Sequence, residues 1–279
     1  MYAYSTSRPD TDRACFAFQP IVDAETAQPA AHRLVLRCPA GGNAITEAHV
    51  AEAAVNAAAA AGLAGAEAPL LLPLAGRGDT PEKLLHAVFR AALVHQLPSD
   101  ALIVAIDTGD EGAAQLVAGC ERRGIAVALE GFAAAPEAIR LLARVTPRFV
   151  LLDPALVRRI ETSGARRGIL DGVVRLAARI GVSVVAPGIQ TPAELAALHA
   201  AGIRHVAGDW IAPASARFAQ PLLCDEPAFG LGRAVTPRRA NAALVRREIG
   251  AAHRRLQHHH RAAGHAVPAA EPLRMPLPA

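Results

Sequence analysis

The chain has 279 residues, 52% of them hydrophobic and only 4% aromatic, with a formal net charge of +4. That length suits one α/β barrel of about 250 residues, and the scarcity of aromatic rings argues against a base-stacking surface for single-stranded nucleic acid. No run of about 18 apolar residues lacks charges and residues 1–12 are polar, which predicts a cytoplasmic protein with neither a membrane span nor a secretory signal.

Short apolar runs alternate with longer alanine-rich stretches. Strands are predicted at residues 16–20, 33–37, 70–74, 102–106, 125–129, 149–152, 183–186 and 205–206. Helices are predicted between them, at 45–61, 81–96, 111–123, 136–144, 166–180 and 192–200. Pro81, Pro136 and Pro192 suit a first helical turn, where a missing N–H costs nothing. Gly124, Gly181 and Gly202 follow last turns, as C-terminal caps do. Eight strands in this alternation predict a (β/α)8 barrel of the TIM type. The first two strands have only a turn around residues 23–29 between them, so one strand is expected to run antiparallel to the rest.

After residue 219 the pattern breaks. The expected division is an N-terminal extension at 1–13, a barrel at 14–219, and a linker with a basic, Pro- and His-rich tail at 220–279, part of which (238–263) reads as a marginal basic helix. Residues 221–279 hold nine arginines against four acidic residues, a net of +5, which leaves −1 for residues 1–220. The basic character thus belongs to the tail, read as a solvated segment rather than a nucleic-acid binder. Its histidines at 253, 258–260 and 265 are likewise read as binding nothing specific. Cys15, Cys38, Cys120 and Cys224 form no C-x-x-C pair, so neither a disulfide framework nor a zinc knuckle is expected.

Fragments spread in register along the barrel carry a resemblance. FQPIVD opens it, followed by HRLVLR, LLLPL, IVAIDT, GIAVALEGF, FVLLDPALV, GVSVVAPGIQT and HVAGDWIAPA. Together they resemble the EAL domain, the bacterial phosphodiesterase family that linearises cyclic di-GMP. The resemblance implies a metal-dependent catalyst that holds two divalent cations about 3.5–4 Å apart on hard oxygen ligands. It implies carboxylate, amide or lysine side chains where this chain has Arg33, Pro73, Ala105, Glu130, Gly131, Leu151 and Pro187, and also at Gln190 and Ala207. Only Glu130 and Asp153 remain as carboxylates at matched positions. A guanidinium at 33 has no lone pair for a metal, and Lys83, the only lysine, lies on a predicted helix away from position 151.

The expectation is therefore a degenerate EAL domain without metal or cofactor, not an enzyme, that regulates signalling through a protein partner. The alternative is a cyclic di-GMP receptor that binds without cleaving, with Gln19, Arg37, Glu130, Asp153 and Trp210 as ligand-binding candidates. An active phosphodiesterase is the least favoured outcome, and homodimerisation stays open. The plainer expectations are that Arg37 pairs with Glu130 or Asp153 and that Trp210 packs at the rim. An Arg33–Glu130 salt bridge in place of the metal is the proposed compensation for the lost ligands.

Overall fold

The computed structural model describes residues 16–37, 47–75 and 79–218. The predicted N-terminal extension and the tail lie outside the described residues, as do Cys15, Cys38, Cys224 and the tail histidines. Eight strands close into a barrel in sequence order: β1 (Phe16–Asp23), β2 (Pro29–Leu36), β3 (Leu70–Leu74), β4 (Leu102–Asp107), β5 (Ala126–Phe132), β6 (Phe149–Leu152), β7 (Ser183–Ala186) and β8 (His205–Val206). β1 pairs antiparallel with both β2 and β8, and every other neighbouring pair is parallel. The helices are α1 (Glu47–Ala60), α2 (Pro81–Val94), α3 (Ala113–Glu121), α4 (Pro136–Leu142), α5 (Pro154–Val157), α6 (Gly164–Ile180) and α7 (Pro192–Ala200).

The period of two along each strand separates two cores. Ile21, Ala31, Leu71, Ile103, Phe149 and Val185 fill the barrel interior together with several alanines. Alternate residues such as Leu70, Leu72, Val104 and Val150 face outward into a second core under the helices. Local chemistry sets the helix ends. Thr80 accepts the N–H of Lys83 with Pro81 in the first turn of α2, and Ser163 accepts the N–H of Arg166 at the start of α6. Gly181 ends α6 at φ 74°, a conformation that glycine adopts without a Cβ penalty. No helix separates β1 from β2, and an aromatic cluster covers their outer face instead. Phe218 stacks on Phe18 with centroids 4.4 Å apart and meets His32 edge-on at 5.0 Å.

Two differences from the sequence reading stand out. The hairpin strands are longer than predicted, because pairing continues from Phe16↔Leu36 down to Val22↔Pro29. The short helix α5 has no sequence counterpart, since four residues cannot show a helical repeat; its signal is the cap, an Asp153 carboxylate accepting the N–H of Ala155. Among the described residues no helix is long and apolar enough to cross a membrane.

Candidate functional site at the barrel mouth

In a parallel barrel the C-terminal strand ends surround the place where function is built. The mouth here is formed by the ends of β2–β8 and the start of β1. Register brings the inward-facing positions level with one another: Gln19 lies opposite Arg33, Pro73 opposite Ala105, and Asp107 opposite Glu130.

The dominant contact joins β2 to β5. Arg33 Nε donates to Glu130 Oε1 at 2.8 Å and Nη2 donates to Oε2 at 3.3 Å. The planar guanidinium thus engages both carboxylate oxygens, the strongest geometry available to such a pair. The Arg33 side chain is 35% exposed and that of Glu130 14%, so water screens the pair only in part. Burial works against the charged guanidinium, yet the hydrogen bond and negative charge of Glu130 outweigh it, and Arg33 holds its proton more firmly than usual. Immediately after Glu130 the strand bulges, and Gly131 takes φ 66°. A Cβ at 131 would be strained by this φ and would lie 3.3 Å from Asp107 Oδ1, which would have to give by a few tenths of an ångström.

The other candidates are engaged separately. Gln19 donates through Nε2 to Asp209 Oδ1 at 3.0 Å and to the Ala212 carbonyl at 3.3 Å, tying β1 to the segment that leaves β8. Arg37 does not pair with Glu130 or Asp153 as the plainer expectation had it. Arg33 already occupies both Glu130 oxygens, and Arg37 is exposed, reaching the Ala214 carbonyl at 3.5 Å among the described residues. Asp153 caps α5. Trp210 is half-buried against the outer core. Leu151 and Ala207 belong to the interior apolar cluster, as does Ala105.

Two carboxylates at the mouth were missed in the sequence. Asp107 accepts the N–H of Gly109 at 2.8 Å, and its place was readable from the alternation of Ile103, Ala105 and Asp107. Asp209 reaches Gln19 across 190 residues and left no local signal. A third missed residue, Glu194, is 2% exposed and braces the loop between β7 and α7. It accepts the N–H groups of Arg159 (3.0 Å), Gln190 (2.8 Å) and Thr191 (3.2 Å). Burial raises its pKa, but those three bonds and the charge of Arg158 pull it below the usual carboxylate range. The T-x-x-E capping box was its signal. Beside this loop, a Cβ on Gly208 (φ 155°) would come within 2.3 Å of the Ile189 carbonyl oxygen, so the chain after β8 can pass only as glycine.

This donor set does not fit a pair of divalent cations. Both oxygens of Glu130 face a guanidinium, Asp153 and Asp107 each hold a backbone N–H, Asp209 accepts from Gln19, and Pro73, Ala105 and Leu151 offer no side-chain oxygen. Among the described residues no group of three or more His, Cys, Asp or Glu side chains is arranged to hold a metal ion.

The sequence profile of the EAL domain family matches residues 5–214. The blue light- and temperature-regulated antirepressor BluF of Escherichia coli K12 is 30% identical over 101 residues, which covers 36% of this chain and 25% of that protein. The probable cyclic di-GMP phosphodiesterase PdeN of the same organism is 28% identical over 128 residues, 46% of this chain and 23% of that one. The chain thus spans about a quarter of the length of these relatives. Among solved structures, a standalone EAL protein of Vibrio cholerae in its c-di-GMP-bound form superposes with a TM-score of 0.60 at 20% identity, covering 72% of this chain and 92% of that one. The FimX EAL domain of Xanthomonas citri in complex with c-di-GMP gives a TM-score of 0.62 at 18% identity, covering 75% and 91%. At these identities the likeness establishes the fold alone.

Proposed function

The chain belongs to the EAL domain family, and from that membership we propose that it is a catalytically inactive member that regulates by binding another protein. The observation that carries this reading is the forked Arg33–Glu130 pair in the mouth. Arg33 cancels the negative charge of Glu130 and engages both of its oxygens, so the pair offers a divalent ion neither net attraction nor a free donor. The same pair satisfies Glu130 without a metal, so the barrel loses no compensation by losing its ions. Phosphoester hydrolysis on two metals needs an activated water and a clamp on the phosphate oxygens, and Pro73, Ala105 and Leu151 supply neither. A protein partner accords with the antirepressor activity named for one relative.

A second reading, a receptor that holds cyclic di-GMP without cleaving it, draws on Arg37. Its guanidinium is exposed and, among the described residues, makes one long contact, a geometry that suits a phosphate partner. Against this reading, Gln19 is committed to Asp209 and Ala212, and Pro187 and Ala207 present no polar side-chain group.

One pair of measurements separates the readings: chromatographic assay of cyclic di-GMP with Mg²⁺ or Mn²⁺, and calorimetric titration with the same nucleotide. The expected outcome is no linear dinucleotide and no binding heat. Micromolar binding without turnover transfers the conclusion to the receptor, and metal-dependent turnover overturns both. Arg33→Glu is expected to stay inactive, because the other positions still lack oxygen donors.

A further inference from the structure

Helix α6 is amphipathic in an uncommon way. Its inner stripe, Leu170, Val173 and Ala177, is buried. The opposite stripe carries Gly164, Gly168 and Gly172 at successive four-residue steps and continues into exposed Arg175 and Arg179, with one exposed carboxylate, Asp171, beside Gly168 and Arg175. Four-residue steps stay on one helix face. Nothing approaches within 4 Å of a Cβ built on any of the three glycines, and none has a positive φ. Neither crowding nor backbone conformation therefore requires glycine there, although glycine is a poorer helix former than the alanine that dominates the neighbouring helices. The outer face offers bare backbone over two turns, then two guanidiniums, with Ile169 43% exposed alongside.

Charge narrows the occupant. Residues 154–180 carry six arginines and two acidic residues, a net of +4. The other described residues carry seventeen acidic and eleven basic side chains, a net of −6. Within α6 itself Arg166, Arg167, Arg175 and Arg179 stand against Asp171, a net of +3, so this helix is basic on an otherwise acidic set of described residues. The chain's own residues 221–279, at +5, are repelled by it, and a second copy laid on the same face would bring like-charged arginine stripes together. Phosphate backbones suit arginine, but no Phe, Tyr or Trp stands in 154–180 to stack a base, and neither Ile169 nor a glycine stripe gains from a nucleic acid.

We propose that the outer face of α6 is the protein-docking surface, and that its partner is an acidic helix lying closely over Gly164, Gly168 and Gly172 with carboxylates against Arg175 and Arg179. Small residues let helix backbones approach, which extends dispersion contact along the crossing, while the arginines steer and orient an acidic partner. This inference rests on the reading of the chain as a protein-interaction module and supplies the chemistry of its partner.

The test uses the full chain and a synthetic helical peptide of about 20 residues, with alanine and leucine on one face and glutamate flanking it. Its lysine-for-glutamate counterpart and a duplex DNA of random sequence serve as competitors, and sedimentation monitors self-association. The expected result is binding of the glutamate peptide that weakens at least tenfold in Arg175→Glu/Arg179→Glu and at least tenfold in Gly168→Leu. Gly168→Ala is expected to keep a cooperative thermal transition at or above that of the parent, which shows that the position tolerates a side chain in the fold. No binding of the glutamate peptide, equal or tighter binding of the lysine peptide or DNA, indifference to Gly168→Leu, or a dimer that this substitution dissolves would each overturn the proposal. Failure here with no cyclic di-GMP turnover removes the surface and leaves the inactive reading standing; turnover with intact peptide binding does the reverse.

Discussion

Each end of the barrel is tied by an arginine, and the two ties differ in kind. At the floor, Arg204 meets Asp23 at 2.9 Å and Glu25 at 3.0 Å. Asp23 needs that cation little, because the N–H groups of Glu25 and Thr26 already hold its carboxylate in a tight turn. Burial pushes Asp23 up, while those amides and Arg204 bring it below the ordinary carboxylate range. At the mouth, among the described residues Glu130 accepts no backbone N–H and depends on a guanidinium 97 residues away. The floor is thus a turn decorated by an ion pair, whereas the mouth is an ion pair that holds two strand ends in relation. Stability at the floor is local; at the mouth it is bought by long-range complementarity.

Removing supports one at a time sharpens this contrast. The largest effect is expected at the mouth-side brace. Glu194→Ala leaves three N–H groups without their acceptor and is expected to cost about 2–4 kcal/mol in urea unfolding, with Glu194→Gln recovering much of it. Because the Glu194 pKa is depressed in the folded state, its contribution is present above the unfolded carboxylate value and fades as pH falls through the folded one. The intermediate effect separates the two arginines. Arg33→Leu strands a half-buried carboxylate and is expected to cost about 1–2 kcal/mol after allowance for screening, with Glu130→Leu added to it restoring most of the loss. Arg204→Ala removes a more exposed guanidinium from a carboxylate that keeps two N–H donors, and is expected to cost under about 1 kcal/mol. Equal costs for the two would erase the distinction between the ends.

The smallest effect is a pH dependence at the floor. His205 lies opposite Asp23, with Phe149 edge-on at 5.6 Å. Burial lowers its pKa and Arg204 adds to that, while Asp23 opposes. A histidine depressed in the folded state is kept neutral by folding. Its contribution is therefore complete above the unfolded value of about 6.5 and is lost as pH falls through the folded value. Unfolding midpoints should drop between neutral and mildly acidic pH, and His205→Phe should flatten that drop. An unchanged slope would assign the acid sensitivity elsewhere.

Much of the architecture was legible because it rests on periodicity. Alternation located all eight strands, and prolines and glycines marked helix starts and stops at Pro81, Pro136, Pro192, Gly124, Gly181 and Gly202. The mouth was legible only in part. Resemblance pointed to Arg33 and Glu130 as a pair, but position alone could not say that Arg37 would turn to Ala214, since that carbonyl arrives from 177 residues downstream. Asp209 stayed hidden for the same reason, its link to Gln19 being a product of barrel closure. Asp107 was overlooked although strand parity contained it.

The antiparallel first strand has a topological consequence. Phe16 enters beside Leu36 at the rim, and the last described residue, Phe218, stacks on Phe18 only two positions away from that entry. Phe16 and Phe218 are therefore neighbours on one lip, while the turn following Asp23 sits at the opposite pole. The barrel can be recut as a circular permutant, joined across the lip and opened at that turn, without severing a single β-ladder.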